Sequence, residues 1–136
     1  MTQFAKVSSR EAFQLIEHTI FEAEKINKHL AVTICGPEGE LISFLRMGGA
    51  SPAALVIAQS KAHTAARDRK STREMREFMV NANREQGFWG DAKITAFGGG
   101  LPIVQEGKVI GGIGVSGLSE AEDERIARIA IEKVYR

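Results

Sequence analysis

Two glycine clusters near the C-terminus constrain this chain more than any other feature. They are Gly98-Gly99-Gly100-Leu101-Pro102-Ile103 and Gly111-Gly112-Ile113-Gly114-Val115-Ser116-Gly117. A strand-turn-strand unit from Pro102 to Ile110 separates them, with Glu106-Gly107 at its turn. Glycine has no Cβ, so backbone at these positions can lie against a ligand or another piece of chain. One cluster is commonly a turn; two flanking a single hairpin point to a place where something sits against bare main chain.

The rest of the chain reads as one α+β domain over residues 1–136. Ser8 and Glu11 have capping-box spacing and open a first helix running to Asn27, with Phe13, Ile16, Ile20 and Ala23 on its apolar face. A hairpin follows: Leu30 to Cys35, a turn at Pro37-Glu38-Gly39, then Leu41 to Leu45. Ser51-Pro52 starts an alanine-rich second helix to about Arg67. Ser71 and Glu74 box a third helix to about Arg84, striped by Met75, Phe78, Met79 and Ala82. Phe88 and Trp89 sit in a loop and are read as a lid, a subunit contact or a stacking surface. Strands are expected at Ile94–Phe97, Ile103–Gln105 and Lys108–Val115. Ser119 and Glu122 then cap a last helix, with Ile126, Ile129, Ala130 and Val134 facing inward. Short turns pair strands antiparallel, so the expectation is a sheet of about five strands with helices packed on its faces.

Composition excludes several classes. With 18 basic against 17 acidic residues, the net charge of +1 gives no footprint for nucleic acid. No run of about 20 apolar residues is present to span a bilayer, and no signal peptide is legible, so no membrane partner and a cytoplasmic location are expected. The single cysteine, Cys35, excludes an intrachain disulfide and reads as a small core residue. Ser116 stands in Gly-Val-Ser-Gly, which is not a nucleophile elbow. Neither glycine cluster has phosphate-loop or dinucleotide spacing, and no histidine pair has zinc-helix spacing, so no metal site is expected.

Several charged residues invite chemistry. Lys61 shares a helix face with Ala54, Ile57, Ala58 and Ala65; it reads either as an anion clamp or as a snorkelling stem at the edge of the core. Arg46 leaves a strand beside two glycines, suited to a ligand carboxylate or to a structural pair with Glu120 or Asp123. Glu120 and Asp123 stand in the first turn of the last helix, where the dipole favours carboxylates; they are also candidate general acids or bases beside the glycine turns. His18 and His63 read as exposed helix histidines, and His29 precedes a strand.

Taken in order, these segments resemble the GlcG/HbpS-like family, which includes the C-terminal domain of PduO-type proteins. The resemblance rests on Arg46-Met47 with Ala50, Lys61-Ala62-His63-Thr64-Ala65-Ala66, Ser71-Thr72, and the two glycine motifs with Glu120 and Asp123 behind them. It implies a profilin-like fold and homo-oligomeric assembly. Some relatives bind haem or are linked to its degradation; others are tied to small organic acids, or look like lyases acting on hydroxylamino-aromatic acids. The implied ligand is therefore haem or a small carboxylated molecule, with a cofactor-independent lyase or isomerase as the enzymatic alternative. The ligand-binding set is Arg46, Lys61, Thr64, Gly98, Gly99, Gly100, Pro102, Gly114 and Ser116. Glu120 and Asp123 are the candidate catalytic groups, and His18, then His63, the candidate axial ligands of haem. One departure is visible: many relatives carry an aspartate in the turn after the first strand, where this chain has Cys35-Gly36-Pro37-Glu38-Gly39.

Overall fold

A computed structural model describes residues 4–136. The elements are α1 (Ser9–Lys25), β1 (Ala31–Cys35), β2 (Leu41–Arg46), α2 (Pro52–Asp68), α3 (Thr72–Ala82), a 3-10 turn (Gln86–Trp89), β3 (Gly100–Gln105), β4 (Lys108–Ser116) and α4 (Glu120–Val134). The four strands form one antiparallel sheet in the order β2-β1-β4-β3. The helix starts follow the caps. Ser8 with Glu11 and Ser71 with Glu74 form complete capping boxes, and the Ser51 side chain accepts from the Ala54 amide ahead of Pro52.

The two faces of the sheet are built differently. Val32 and Ile34 of β1 stand opposite Val115 and Ile113 of β4, and all four join Leu15, Ile16, Ile103 and Ile126 in the main core beneath α1 and α4. The alternate residues pair Thr33 with Gly114 and Cys35 with Gly112, and these face α2. A Cβ on Gly114 would collide with the Ala58 carbonyl and the Ala62 nitrogen of α2, so only glycine lets that helix lie so close. Ala58, Ala62 and Ala66 complete the contact from the helix side.

The sheet has four strands rather than about five. Ile94–Phe97, expected as a strand, runs beside α2 as irregular chain. Side chains hold its amides instead of a ladder: Thr95 donates to Thr64 Oγ1 at 3.0 Å and Phe97 to Thr95 Oγ1 at 3.3 Å. The buried stripe of α1 also differs from expectation. It comprises Ala12, Leu15, Ile16, Thr19, Glu22 and Ala23, the helix packs on α4, and Phe13 is left on the outer face. Phe78 is likewise half exposed and takes Trp89 edge-on, with ring centroids 6.0 Å apart; Trp89 thus packs within the chain, against Met75, Met79 and Ile94.

Candidate functional site

At the end of the sheet where β1 begins and β4 ends, a cleft of about 330 Å³ opens between the starts of α2 and α4. Ser51, Ala54 and Ile57 line one wall, Ser116 and Leu118 another, and Phe97 stands at the rim, 54% exposed. Lys61, Glu120 and Asp123 also line it.

Lys61 is only 2% exposed. Its Nζ donates to the Val115 carbonyl at 2.7 Å and to Asp123 Oδ2 at 3.1 Å. The second Asp123 oxygen accepts from the Leu118 amide at 3.1 Å, which fixes the carboxylate at the start of α4. Burial is the largest influence on both groups. It pushes the Lys61 ammonium below its ordinary value and the Asp123 carboxyl above its own, and their mutual attraction offsets only part of this. Each group is thus drawn toward its neutral form. Lys61 is consequently not a free cation for an anion clamp, because Asp123 already meets its charge.

The first glycine cluster borders this pair. Gly99 has φ +122°, a conformation that side chains disfavour, and a Cβ there would stand 2.7 Å from Lys61 Nζ. Gly98 donates its amide to Glu120, whose other oxygen pairs with Arg76 at 3.2 Å. Gly100 donates to Thr72 Oγ1 at 2.9 Å. The glycine segment is therefore stitched to the first turns of α3 and α4.

Other candidates lie elsewhere. Arg46 does not line the cleft; it donates to the Ala50 carbonyl at 3.1 Å and braces the loop leading into Ser51. It pairs with neither Glu120 nor Asp123, whose partners are Arg76 and Lys61. Thr64 is buried and accepts from the Thr95 amide, pinning the chain before β3. Pro102 sits in edge strand β3 opposite Gly112, where a missing amide is tolerated. Gly114 is covered by α2 and does not line the cleft.

His63, expected to be solvated, is 9% exposed because the β1–β2 turn and the loop before β3 close over it. Its Nε2 meets Asp91 Oδ2 at 2.6 Å and its Nδ1 faces the Gly39 carbonyl at 3.4 Å. His18 lies on the outer side of α1, half-buried, with no hydrogen bond to its ring among the described residues. Phe97 was legible only as a strand residue; its place directly before Gly98-Gly99-Gly100 is the signal that marks it as a rim group.

A larger open hollow of about 990 Å³ lies at the opposite end of the sheet, where Lys6, Glu38, Glu40, Arg69 and Lys108 are all exposed. Among the described residues no group of three His, Cys, Asp or Glu side chains is placed to hold a metal ion, and no helix is long and apolar enough to cross a membrane.

Comparison with known proteins places the chain. The sequence model of the family described as haem-degrading protein HbpS-like matches residues 7–132. The protein GlcG of Escherichia coli K12 is 38% identical over 95 residues, covering 70% of this chain and 69% of that protein. A double mutant of Streptomyces reticuli HbpS superposes with a TM-score of 0.92 at 26% identity, covering 100% of this chain and 92% of that one. The structure of a PduOC–haem complex superposes with a TM-score of 0.85 at 28% identity, covering 94% of each chain. By fold, by sequence and over nearly its whole length, the chain belongs to the HbpS-like family.

Proposed function

We propose that this chain binds haem as an oligomer, with His18 as axial ligand. The observation that carries the reading is the outer face of α1. His18 stands there with no hydrogen-bond partner among the described residues, beside Phe21, 56% exposed, and on the same helix as Phe13, 59% exposed. A neutral imidazole with a free ring nitrogen is an iron ligand, and exposed aromatic rings offer a surface for a flat apolar macrocycle. His63 does not fit that role, because both its nitrogens already face protein oxygens. The likeness to a PduOC–haem complex supports the same ligand. Bound haem supplies redox and oxygen chemistry, while the chain holds it and controls its exposure. A second copy would cover the aromatic groups that haem leaves exposed.

The test is a titration with micromolar haem, followed at the Soret band. The band is expected in the wild type and in His63→Ala, and lost in His18→Ala. Absence of a band in the wild type, or its survival in His18→Ala, overturns the reading. Size-exclusion chromatography of the same samples reports assembly.

The cleft favours a second reading, a small organic acid handled by proton transfer. The hydrogen-bonded Lys61–Asp123 pair and Glu120 line the cleft, and groups of this kind transfer protons. A lyase or isomerase fits such groups. Propionate and benzoate should raise the melting temperature of the protein, as ligands of the native state do; no shift with either sinks this reading.

A further inference from the structure

We propose that Lys61 is a Schiff-base lysine, its Nζ condensing with the carbonyl carbon of a small aldehyde or ketone while Asp123 carries the protons. The position is unusual for a lysine. Its side chain leaves α2 beside Gly114 and reaches the Val115 carbonyl of β4, and the residue lines a cleft while only 2% exposed. Two of its hydrogens are directed to Val115 and Asp123. Gly99, held at a positive φ that disfavours any side chain, lies against the pair: a Cβ there would stand 2.7 Å from Nζ, so a larger residue would press on the amine. A purely structural role does not call for this pair, since a buried ion pair is generally no more stabilising than apolar groups of the same volume.

The surroundings suit amine chemistry. Only a neutral amine attacks a carbonyl, and burial favours the neutral form of Lys61. Asp123 Oδ2, 3.1 Å away, is positioned to accept the displaced proton, and burial favours its protonated form too. Ala54, Ile57, Phe97 and Leu118 supply an apolar wall for the body of a carbonyl compound and limit water at the reacting atoms.

The step balances without an added reagent. The ammonium first passes a proton to Asp123. Nζ then adds to the carbonyl carbon, forming the C–N bond, and Asp123 protonates the carbonyl oxygen. Asp123 next takes one hydrogen from the nitrogen and returns it to the hydroxyl, which leaves as water while the nitrogen lone pair forms C=N. The product is an iminium on Lys61 paired with the Asp123 carboxylate, plus one water. An iminium draws electrons from the neighbouring bond, the property that lysine enzymes of this kind use.

This inference shares the cleft with the organic-acid reading and needs only that small molecules enter it; it requires no carboxylate on the guest. The experiment treats the native protein with limiting propanal and sodium cyanoborohydride near neutral pH, then maps propylated lysines by peptide mass spectrometry. Burial favours the neutral, reactive amine at Lys61, so Lys61 is expected to be labelled about ten-fold faster or more than the exposed Lys108. Its rate should also level off below the ordinary lysine value. In Asp123→Asn, checked for fold by circular dichroism, labelling of Lys61 should drop while Lys108 is unchanged. Labelling of Lys61 no faster than of Lys108 in the wild type overturns the proposal, whatever the variant does. A missing propionate and benzoate shift with fast Lys61 labelling removes only the organic-acid reading.

Discussion

The two faces of the sheet solve different problems with the same strands. Beneath α1 and α4, branched side chains from β1 and β4 interlock in a thick apolar core. Beneath α2, the partners are glycine, alanine, threonine and cysteine, and helix and sheet nearly touch through their backbones. The thin face lacks apolar bulk, and the polar groups that it buries, Lys61, His63, Thr64 and Ser116, lie along α2 and the end of β4. Close approach of backbone is thus what brings a buried amine to the wall of a cleft. The thick face stabilises; the thin face positions.

The largest effect expected from that contrast comes from splitting the buried pair. Lys61→Met leaves Asp123 without its partner and should cost about 3–5 kcal/mol in urea unfolding, while Lys61→Met with Asp123→Leu should recover most of it. Equal losses in both proteins would mean that the cost comes from packing alone.

Next, one carbon added to the thin face should hurt more than one removed from the thick face. Gly114→Ala drives a methyl group into the α2 backbone and should cost about 1–3 kcal/mol, at the upper end because main chain cannot step aside. Ile113→Val, its neighbour pointing the other way, should cost about 0.5–1.5 kcal/mol. The reverse order, measured by the same denaturant titration, would break the comparison.

A smaller effect concerns pH. The hydrogen bond from His63, first among several influences, holds the Asp91 carboxyl below its ordinary range. A carboxyl whose value is lowered by folding contributes stability above its unfolded value, about 4, and loses it as pH falls through the folded value. Asp91→Asn should therefore cost about 1 kcal/mol near neutrality, and the gap to wild type should close progressively below about pH 4. A gap that persists into strong acid would assign the loss to something other than charge.

The smallest effect is a null one. Burial pushes the Cys35 thiol up to about 12, and its Sγ lies 3.2 Å from the Ala62 carbonyl. Iodoacetamide should leave Cys35 unmodified until the protein unfolds. Rapid alkylation of the native protein would indicate that α2 lifts from the sheet.

Much of the architecture was legible because helix starts carry local chemistry: Ser8 with Glu11, Ser51 with Pro52 and Ser71 with Glu74 each act within four residues. The site was less so. Lys61 stood out by its apolar neighbours on the helix, but its partner Asp123 lies 62 residues away, a distance that no local pattern spans. His63 read as a surface group because a helix wheel cannot see the loops that later cover it. Ile94–Phe97 had the composition of a strand, yet the Thr95 and Phe97 amides are taken by the hydroxyls of Thr64 and Thr95. The glycines announced close approach without saying to what. Gly114 meets a helix and Gly99 meets an amine.

The stitching of Gly98 to Glu120 and Gly100 to Thr72 has a thermodynamic consequence. The glycine segment that follows the rim residue Phe97 is anchored at both ends by helix first turns, so its main chain loses its freedom when the protein folds. On the readings proposed above, a guest of the cleft spends no contact energy on ordering this segment, and that energy remains as affinity.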